Sequence, residues 1–330
     1  MERWDRIGRF AGYGAALSLL PYLLIKVVWV VGSLLGLISI GEGDSRAGWV
    51  LLNTVTIGMA AIGIALGLAL VRPWGTRIPG WLVAFCAWTG SGFLVSVLPF
   101  AVLSPILDSA RGGTADSGSE GAMPGWMGAL LQFSFIGMGL GLVGALPAYL
   151  RRRWPEAFIR RVGKGSDARA LWAAALAALV GVAWLCWAAG VTVGLAHPAE
   201  RHTNWYLLTG LGALWALAGA AAVWMLARAR TVRLPHPLLL GLTWIGSGSL
   251  FAWSSWKLPL TLLVALTHPS DVTPPEFPAV AAVLHLAAVV AGTVMLKTLV
   301  SVAAPTRVLR GGALPPSPEG ACATGHGGSR

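Results

Sequence analysis

The chain has 330 residues, of which 56% are hydrophobic and only 11% are charged, and its mean hydropathy is +0.71. This composition excludes an ordinary soluble domain and indicates an integral membrane protein surrounded by the lipid bilayer. A formal net charge of +11 would suggest nucleic-acid binding in a soluble protein, but here the basic residues are concentrated in the loops. We therefore expect no nucleic-acid partner.

Eight stretches of the sequence are apolar and long enough to cross a bilayer as helices. A hydrocarbon core about 30 Å thick requires about 20 mostly apolar residues per helix, because unpaired backbone groups are costly in hydrocarbon. In chain order, the predicted helices are residues 15–39, 49–71, 81–106, 125–149, 171–195, 205–227, 237–265 and 278–302. The predicted fold class is therefore all-α, a polytopic membrane protein with about eight transmembrane helices.

The basic residues lie mainly on one side of these predicted helices. The N-terminal segment, the loops after predicted helices 2, 4 and 6, and the C-terminal tail together contain 18 Arg and Lys residues. The loops on the other side contain only three, which are Arg46, Arg111 and Arg201. The positive-inside rule therefore predicts that both chain ends are cytoplasmic.

The sequence repeats itself at an offset of 156 residues, which predicts a duplicated four-helix unit. The residues Trp49, Gly63, Arg72, Arg77, Pro79, Trp88, Gly90, Ser91 and Gly92 recur as Trp205, Gly219, Arg228, Arg233, Pro235, Trp244, Gly246, Ser247 and Gly248. We predict two parallel four-helix repeats at 1–150 and 171–303, a basic cytoplasmic linker at 151–170 and a disordered cytoplasmic tail at 304–330. Two such units should be related by a pseudo-twofold axis along the membrane normal, with a central interface or cavity on it. The alternative is that duplication only built a stable bundle.

Three strings in the first half carry a resemblance to known proteins. They are K-V-V-W-V-V-G-S-L-L-G-L at 26–37, V-R-P-W-G-T-R-I-P at 71–79 and W-T-G-S-G-F-L at 88–94, which include the motifs K-x-x-W-x-x-G and P-W-G-x-R-x-P. The chain resembles uncharacterised multi-pass membrane proteins of high-GC actinobacteria, and its second half looks like a diverged copy of the first. The resemblance implies a bacterial plasma membrane and supplies no activity or catalytic residue.

Glycine pairs at helical spacing predict close helix packing. Gly32 and Gly36 form a G-x-x-x-G pair in predicted helix 1, and Gly190 and Gly194 repeat it in predicted helix 5. Small residues at this spacing let two helices approach until their backbones touch. We expect these glycines to pack helices together, and a ligand groove is the alternative.

Lys26 lies near the middle of predicted helix 1, about 15 Å from either end and beyond the reach of snorkelling. A charged Lys at this depth costs about 2.5–3.5 kcal/mol on insertion scales, so it should have a partner, a water-filled cavity or a lost proton. Trp29 and Tyr22 share its helix face and are candidate partners, as are polar groups of neighbouring helices. The functional alternative is an anionic ligand. Because Trp184 takes the matching position in the repeat, Lys26 breaks the predicted symmetry.

Three more polar residues lie within predicted helices. Lys257 is close enough to a helix end to act as an anchor, and Gln132 and His285 lie about two turns below the outer surface. Each alone is more often a hydrogen-bonding residue between helices than a site. Together with Lys26, they are our candidates for an outward-facing polar pocket.

The motifs of the common enzyme classes are missing from the sequence. There is no G-x-x-x-x-G-K-[ST], H-E-x-x-H, C-x-x-C or G-x-S-x-G string, and the six His are scattered. The predicted helices contain no Asp or Glu of the kind that coupled carriers usually keep in the membrane. We therefore expect no enzyme activity, no cofactor and no metal site.

Three hypotheses about function follow. The first is a non-catalytic membrane component that binds a lipid-like or small apolar ligand, a membrane protein partner or a second copy of the chain. The second is an uncoupled or anion-handling permease with its pathway on the pseudo-axis and Lys26 as its selective charge. The third is a membrane-embedded enzyme that depends on Lys26 or His285.

The predicted topology gives a direct test. Reporter fusions at Ser119 and Lys164 should report from opposite sides of the membrane, because these residues fall in loops on opposite sides of the predicted fourth helix. Alkaline phosphatase and green fluorescent protein fusions at both positions measure this. If both positions reported from the same side, the eight-helix topology would be wrong.

Overall fold

The computed structural model describes most of the eight predicted helices and some of their connections. The described residues are 2–37, 46–110, 125–154, 168–228, 235–267 and 273–303. The predicted tail at 304–330 and most of the predicted linker at 151–170 lie outside them.

Eight long α-helices make up most of the described chain. They are α1 Glu2–Leu34, α2 Arg46–Ala69, α3 Gly80–Ala110, α4 Gly125–Arg153, α5 Ala168–Ala188, α6 Thr203–Ala227, α7 His236–Thr267 and α8 Pro278–Ala303. All eight are long and apolar enough to cross a membrane, which confirms the predicted all-α, multi-pass fold. Within the described residues, extended pairing is limited to an isolated bridge between Leu195 and Glu276.

Two helix ends differ from the prediction. α1 begins at Glu2, well before residue 15, because its first turns pack on α4. A Cβ at Gly8 would lie 2.6 Å from the Ala148 Cβ, so the two helices are close there. α5 ends at Ala188 and does not continue to residue 195, because Gly190 turns the chain with a φ of 103°.

Three of the four glycines that we assigned to helix packing lie beyond the ends of the helices. Gly36, Gly190 and Gly194 all have a positive φ, which an L side chain rarely adopts. After α1, the N–H of Leu37 donates to the Gly32 carbonyl at 2.8 Å, in the pattern that closes a helix with a glycine. The predicted G-x-x-x-G contacts between helices are therefore wrong for these three glycines, which form turns, and only Gly32 is buried inside a helix.

The helices form two groups that meet along α3. In the first half, α1 packs against α2 and α4, and in the second half α5 packs against α6 and α8. α7 also packs against α6 and α8, whereas α3 makes its main contacts with α7 across the boundary between the halves. The α3–α7 crossing is therefore the principal contact between the two groups.

At this crossing the two backbones touch. A Cβ at Gly92 would overlap the backbone carbonyl of Gly248. A Cβ at Gly248 would lie 2.8 Å from the Trp88 carbonyl oxygen. The sequence therefore needs glycine at both positions for the helices to come this close.

Two hydrogen bonds between side chains flank the glycine contact. The Trp88 indole Nε1 donates to the Ser247 hydroxyl at 3.0 Å, and the Trp244 Nε1 donates to the Ser91 hydroxyl at 3.0 Å. The predicted repeat matches Trp88 with Trp244 and Ser91 with Ser247, so the two bonds are equivalent pairs. A twofold axis through the crossing would produce this reciprocal pattern, and the duplication itself stays a prediction from the sequence.

The two halves pack differently around the crossing. In the second half, a Cβ at Gly246 would lie 2.6 Å from the Gly219 Cα, so α6 and α7 are in backbone contact. The matching glycines of the first half, Gly63 and Gly90, do not meet in this way. A Cβ at Gly90 would have no atom within 4 Å, and one at Gly63 would contact Leu19. α3 thus packs mainly against α7 of the second half and makes only a small contact with α2.

The glycine contact predicts a large difference between two neighbouring substitutions. Gly92→Ala should lower the free energy of unfolding by about 1–3 kcal/mol, because the added methyl group overpacks the crossing. Gly90→Ala is the matched control, since its methyl group enters open space. Thermal unfolding of both purified variants in one detergent measures the effect, and equal midpoints would contradict the described contact.

Candidate functional site

Lys26 is buried in the first half, with only 6% of its surface exposed. Its ammonium donates a hydrogen bond to the Asn53 Oδ1 at 3.0 Å and lies 4.3 Å from the centroid of the Trp29 ring. The Tyr22 ring is the next aromatic neighbour, with its centroid at 5.8 Å. The predicted cation–π partner, Trp29, is therefore present. The second partner, the Asn53 amide oxygen, was not predicted from the sequence.

Asn53 is held in place by α2 and by the residues around it. Its Nδ2 donates to the Trp49 carbonyl one turn earlier at 2.8 Å, which leaves Oδ1 directed at Lys26. The Trp49 and Trp29 rings lie 6.2 Å apart and cover the pair. Sequence reasoning could have found Asn53, because it is the one side-chain amide in predicted helix 2.

The matching region of the second half retains the indole pair and lacks the charge. The Trp187 and Trp205 rings lie 6.3 Å apart at an interplanar angle of 36°, close to the 6.2 Å and 37° of Trp29 and Trp49. Trp184, at the position that matches Lys26, is buried and packs against the His285 ring at 5.9 Å. At these two matching positions, the first half therefore buries a cation, Lys26, and the second half buries an indole, Trp184.

A cleft lies beside Trp184 in the second half. Its enclosed part measures about 20 Å³, which is room for about one water molecule, and it opens to the surroundings. The residues around it are Trp184, Trp187, Leu208, Thr209, Gly212, Trp253, Lys257, Glu276, Ala281, Leu284 and His285. Three indoles and an aliphatic floor thus surround a lysine, a histidine and a carboxylate.

The polar side chains of this cleft differ in how they are held. The His285 Nδ1 shares a hydrogen bond of 3.2 Å with the Ser254 hydroxyl, which joins α8 to α7. The Lys257 ammonium lies 5.6 Å from the Trp253 ring centroid. In the part of the chain that the structure describes, no carboxylate lies within 4 Å of this ammonium.

The loops that follow α5 and precede α8 form a cap over the cleft. The Leu195–Glu276 bridge and a bond of 2.8 Å from the Ala196 N–H to the Pro275 carbonyl join these loops. The Trp205 Nε1 donates to a Glu276 carboxylate oxygen at 2.7 Å, which ties the cap to α6. Glu276 is therefore a structural residue of the cap as well as part of the cleft wall.

The structure brings only some of the predicted site residues together. Lys257 and His285 line the cleft of the second half, whereas Lys26 forms its cluster with Tyr22 and Trp29 in the first half. Gln132 is half-buried in α4 and does not line the cleft. Across the described residues, no three His, Cys, Asp or Glu side chains come close enough to hold a metal ion.

The Lys26–Asn53 contact predicts a coupled pair of substitutions. Asn53→Leu should lower the free energy of unfolding by about 1–3 kcal/mol, because it leaves the buried ammonium without this acceptor. Lys26→Met in the same background should recover part of that loss, since the charge is removed as well. Thermal unfolding of the wild type, the two single variants and the double variant measures the coupling. Strictly additive effects would show that the contact carries no interaction energy.

Comparison with known proteins gives no further guide to this site. No protein-family model, curated protein or solved structure matches the chain. The resemblance to actinobacterial membrane proteins therefore stays an expectation from the sequence. The function has to be argued from the chemistry of the cleft in an eight-helix membrane protein.

Proposed function

We propose that this integral membrane protein is a non-catalytic component that binds a small, lipid-like amphipathic ligand in the cleft of the second half. The observation that carries the proposal is the combination of three indole walls with the Lys257 ammonium in one cleft. We also place the protein in a bacterial plasma membrane, with the basic ends of its helices in the cytoplasm.

The walls of the cleft suit an apolar ligand body. Trp184 and Trp187 are each only 6% exposed, and Leu284 and Ala281 extend the apolar surface along α8. Ligand sites are typically lined in this way, with many apolar contacts and a few polar groups that set orientation. An alkyl chain or a ring fits such walls better than a polar solute does.

The charge of Lys257 suits an acidic group on that ligand. An ammonium inside a membrane-spanning helix is stabilised by a nearby anion. The ammonium lies over the face of Trp253, a contact that uses none of its N–H donors in a hydrogen bond and leaves them for a bound carboxylate or phosphate. The Glu276 carboxylate accepts a hydrogen bond from the Trp205 indole on the cap side and would repel a second acidic group. The acidic group of the ligand should therefore lie next to Lys257.

The size of the cleft sets where the ligand would lie. The enclosed part accommodates about one water molecule, so a larger ligand occupies the mouth between the cap and the indoles or displaces the cap. Side-chain hydrogen bonds join the cap to the helices, among them the Trp205–Glu276 bond and a bond from the Trp187 Nε1 to the Val193 carbonyl, and these must break if the cap is to open. Opening of the cap is therefore the conformational change that binding requires.

The permease hypothesis has less support. It placed a pathway on the pseudo-axis, where the contact between Gly92 and Gly248 leaves no space between α3 and α7. Its proposed selective charge, Lys26, is held by Asn53 and covered by Trp29. These contacts favour a structural role for Lys26 and a binding role for the cleft.

Binding of a brominated fatty acid tests the proposal. Bromine quenches tryptophan fluorescence at short range, so the fatty acid should quench the indoles of the cleft in the purified, detergent-solubilised protein. Lys257→Met should weaken this binding about tenfold, because a hydrogen bond to a charged group is lost. The matching brominated fatty alcohol should bind equally to the wild type and the variant.

Lys297→Met is the matched control, because Lys297 is an exposed lysine of α8 that does not line the cleft. It should bind the fatty acid as the wild type does. Equal affinities of the Lys257→Met variant and the wild type for the acid would overturn the proposal. Absence of binding to the wild-type protein would do the same.

A further inference from the structure

A second cavity lies at the opposite end of the bundle, among the basic residues of the first half. It measures about 360 Å³, which is within the range of ligand-binding pockets. The residues around it are Ala69, Leu70, Val71, Arg72, Pro73, Thr76, Tyr149, Arg152 and Arg153. From the sequence alone, these basic residues indicate only the orientation of the chain.

The loop between α2 and α3 forms one wall of the cavity, and its shape depends on the P-W-G-x-R-x-P motif. Pro73–Thr76 is a single 3₁₀ turn that folds back on the end of α2. A Cβ at Gly75 would overlap the Ala69 carbonyl, so this position requires glycine. Arg153 holds the loop from α4, because its guanidinium donates to the Thr76 carbonyl at 2.9 Å and to the Ile78 carbonyl at 3.0 Å.

Two other guanidinium groups supply positive charge to the cavity. One Nη of Arg152 donates to the Leu70 carbonyl at 2.6 Å, and its Nε lies 3.9 Å from the Asp5 carboxylate. Arg72 is exposed, and its guanidinium lies 5.4 Å from the centroid of the Tyr13 ring. A guanidinium has five N–H donors, so these contacts leave donors of both residues for an anion. Among the described residues, three Arg side chains line the cavity and one carboxylate, that of Asp5, lies near Arg152, so the cavity is cationic.

Tryptophans mark the depth of this cavity in the membrane. Trp74, Trp81 and Trp154 lie at the loop, at the start of α3 and after α4, and their exposed fractions are 39%, 71% and 37%. Exposed indoles at helix ends are typical of the membrane interface, where lipid headgroups lie. The cavity is therefore at the level of the phosphate groups of the surrounding lipids.

We propose that this cavity binds a phosphate group, with Arg72 and Arg152 as its direct ligands and Arg153 as the residue that positions the loop. The guanidinium fork matches the geometry of phosphate oxygens, and basic cavities between helices at this depth suit anionic headgroups. The depth favours the phosphate of an anionic lipid over free phosphate. The site is independent of the cleft proposed above, which lies in the other half and at the other end of the bundle.

The second half provides a matched control. Arg228 takes the position of Arg72 in the predicted repeat. Its guanidinium packs on the Trp224 ring at 4.1 Å and does not line the cavity. Removal of this charge changes the net charge of the protein by the same amount as removal of Arg72.

The test is a titration of the full-length, detergent-solubilised protein with short-chain phosphatidylglycerol, short-chain phosphatidylcholine or inorganic phosphate, followed by native mass spectrometry. Phosphatidylglycerol should bind more tightly than phosphatidylcholine. Arg72→Gln should weaken its binding about fivefold, and Arg72→Lys should weaken it less, because the charge is kept and the guanidinium fork is lost. Arg228→Gln should retain it. Arg72 is the first choice because, unlike Arg152, it holds no backbone carbonyl among the described residues.

Three results would decide against the proposal or against its lipid form. Equal binding of the two lipids, or equal phosphatidylglycerol binding by the Arg72→Gln variant and the wild type, would overturn the site. If inorganic phosphate bound with the same dependence on Arg72 and displaced the lipid at equal concentration, the source would be free phosphate and the depth argument would be wrong. The Arg72→Gln variant should still bind the brominated fatty acid as the wild type does. Failure of the cavity proposal can therefore be distinguished from failure of the cleft proposal.

Discussion

The backbone contact between α3 and α7 is the interaction on which the arrangement of the two halves depends. Gly92 and Gly248 allow the helices to touch, and the indole–hydroxyl bonds from Trp88 and Trp244 hold them on either side. Lipid tails are as apolar as the helices, so burial of apolar surface alone does not join helices in a membrane. Close packing and satisfied polar groups provide that stabilisation, and this crossing supplies both.

The same constraint explains how the other polar side chains within the bundle are used. Lys26 is paired with Asn53, and His285 with Ser254, in each case from one helix to another. A polar group that faced hydrocarbon without such a contact would be costly. These contacts therefore add specificity to the packing, because each fixes one helix relative to its neighbour.

The differences between the halves locate the two proposed sites. In the second half, Gly219 and Gly246 close α6 onto α7, and the Trp184 indole borders the cleft. In the first half, α3 contacts α2 only slightly, and the basic cavity lies at the end of α2 next to α4. The two halves share sequence motifs, and the two proposed sites lie at different ends of the bundle.

Hydrophobicity in the sequence was enough to predict the eight membrane-spanning helices of the described residues and their approximate bounds, because a bilayer requires long apolar segments. The ends of α1 and α5 were predicted poorly, since they depend on contact with α4 and on the φ of Gly190. The sequence also pointed to Lys26 and Trp29, because a charge in a membrane span requires a partner on the same face or a neighbouring helix.

The tertiary structure alone decided which residues meet across helices. Asn53 as the acceptor for Lys26, the cleft that Lys257 shares with His285, and the cavity between Arg72 and Arg152 all join residues far apart in the chain. Periodicity gives the face of a helix on which a residue lies, and it does not give the neighbour of that face. Those neighbours are set by the packing of the helices within each half, and the α3–α7 crossing sets how the two halves meet.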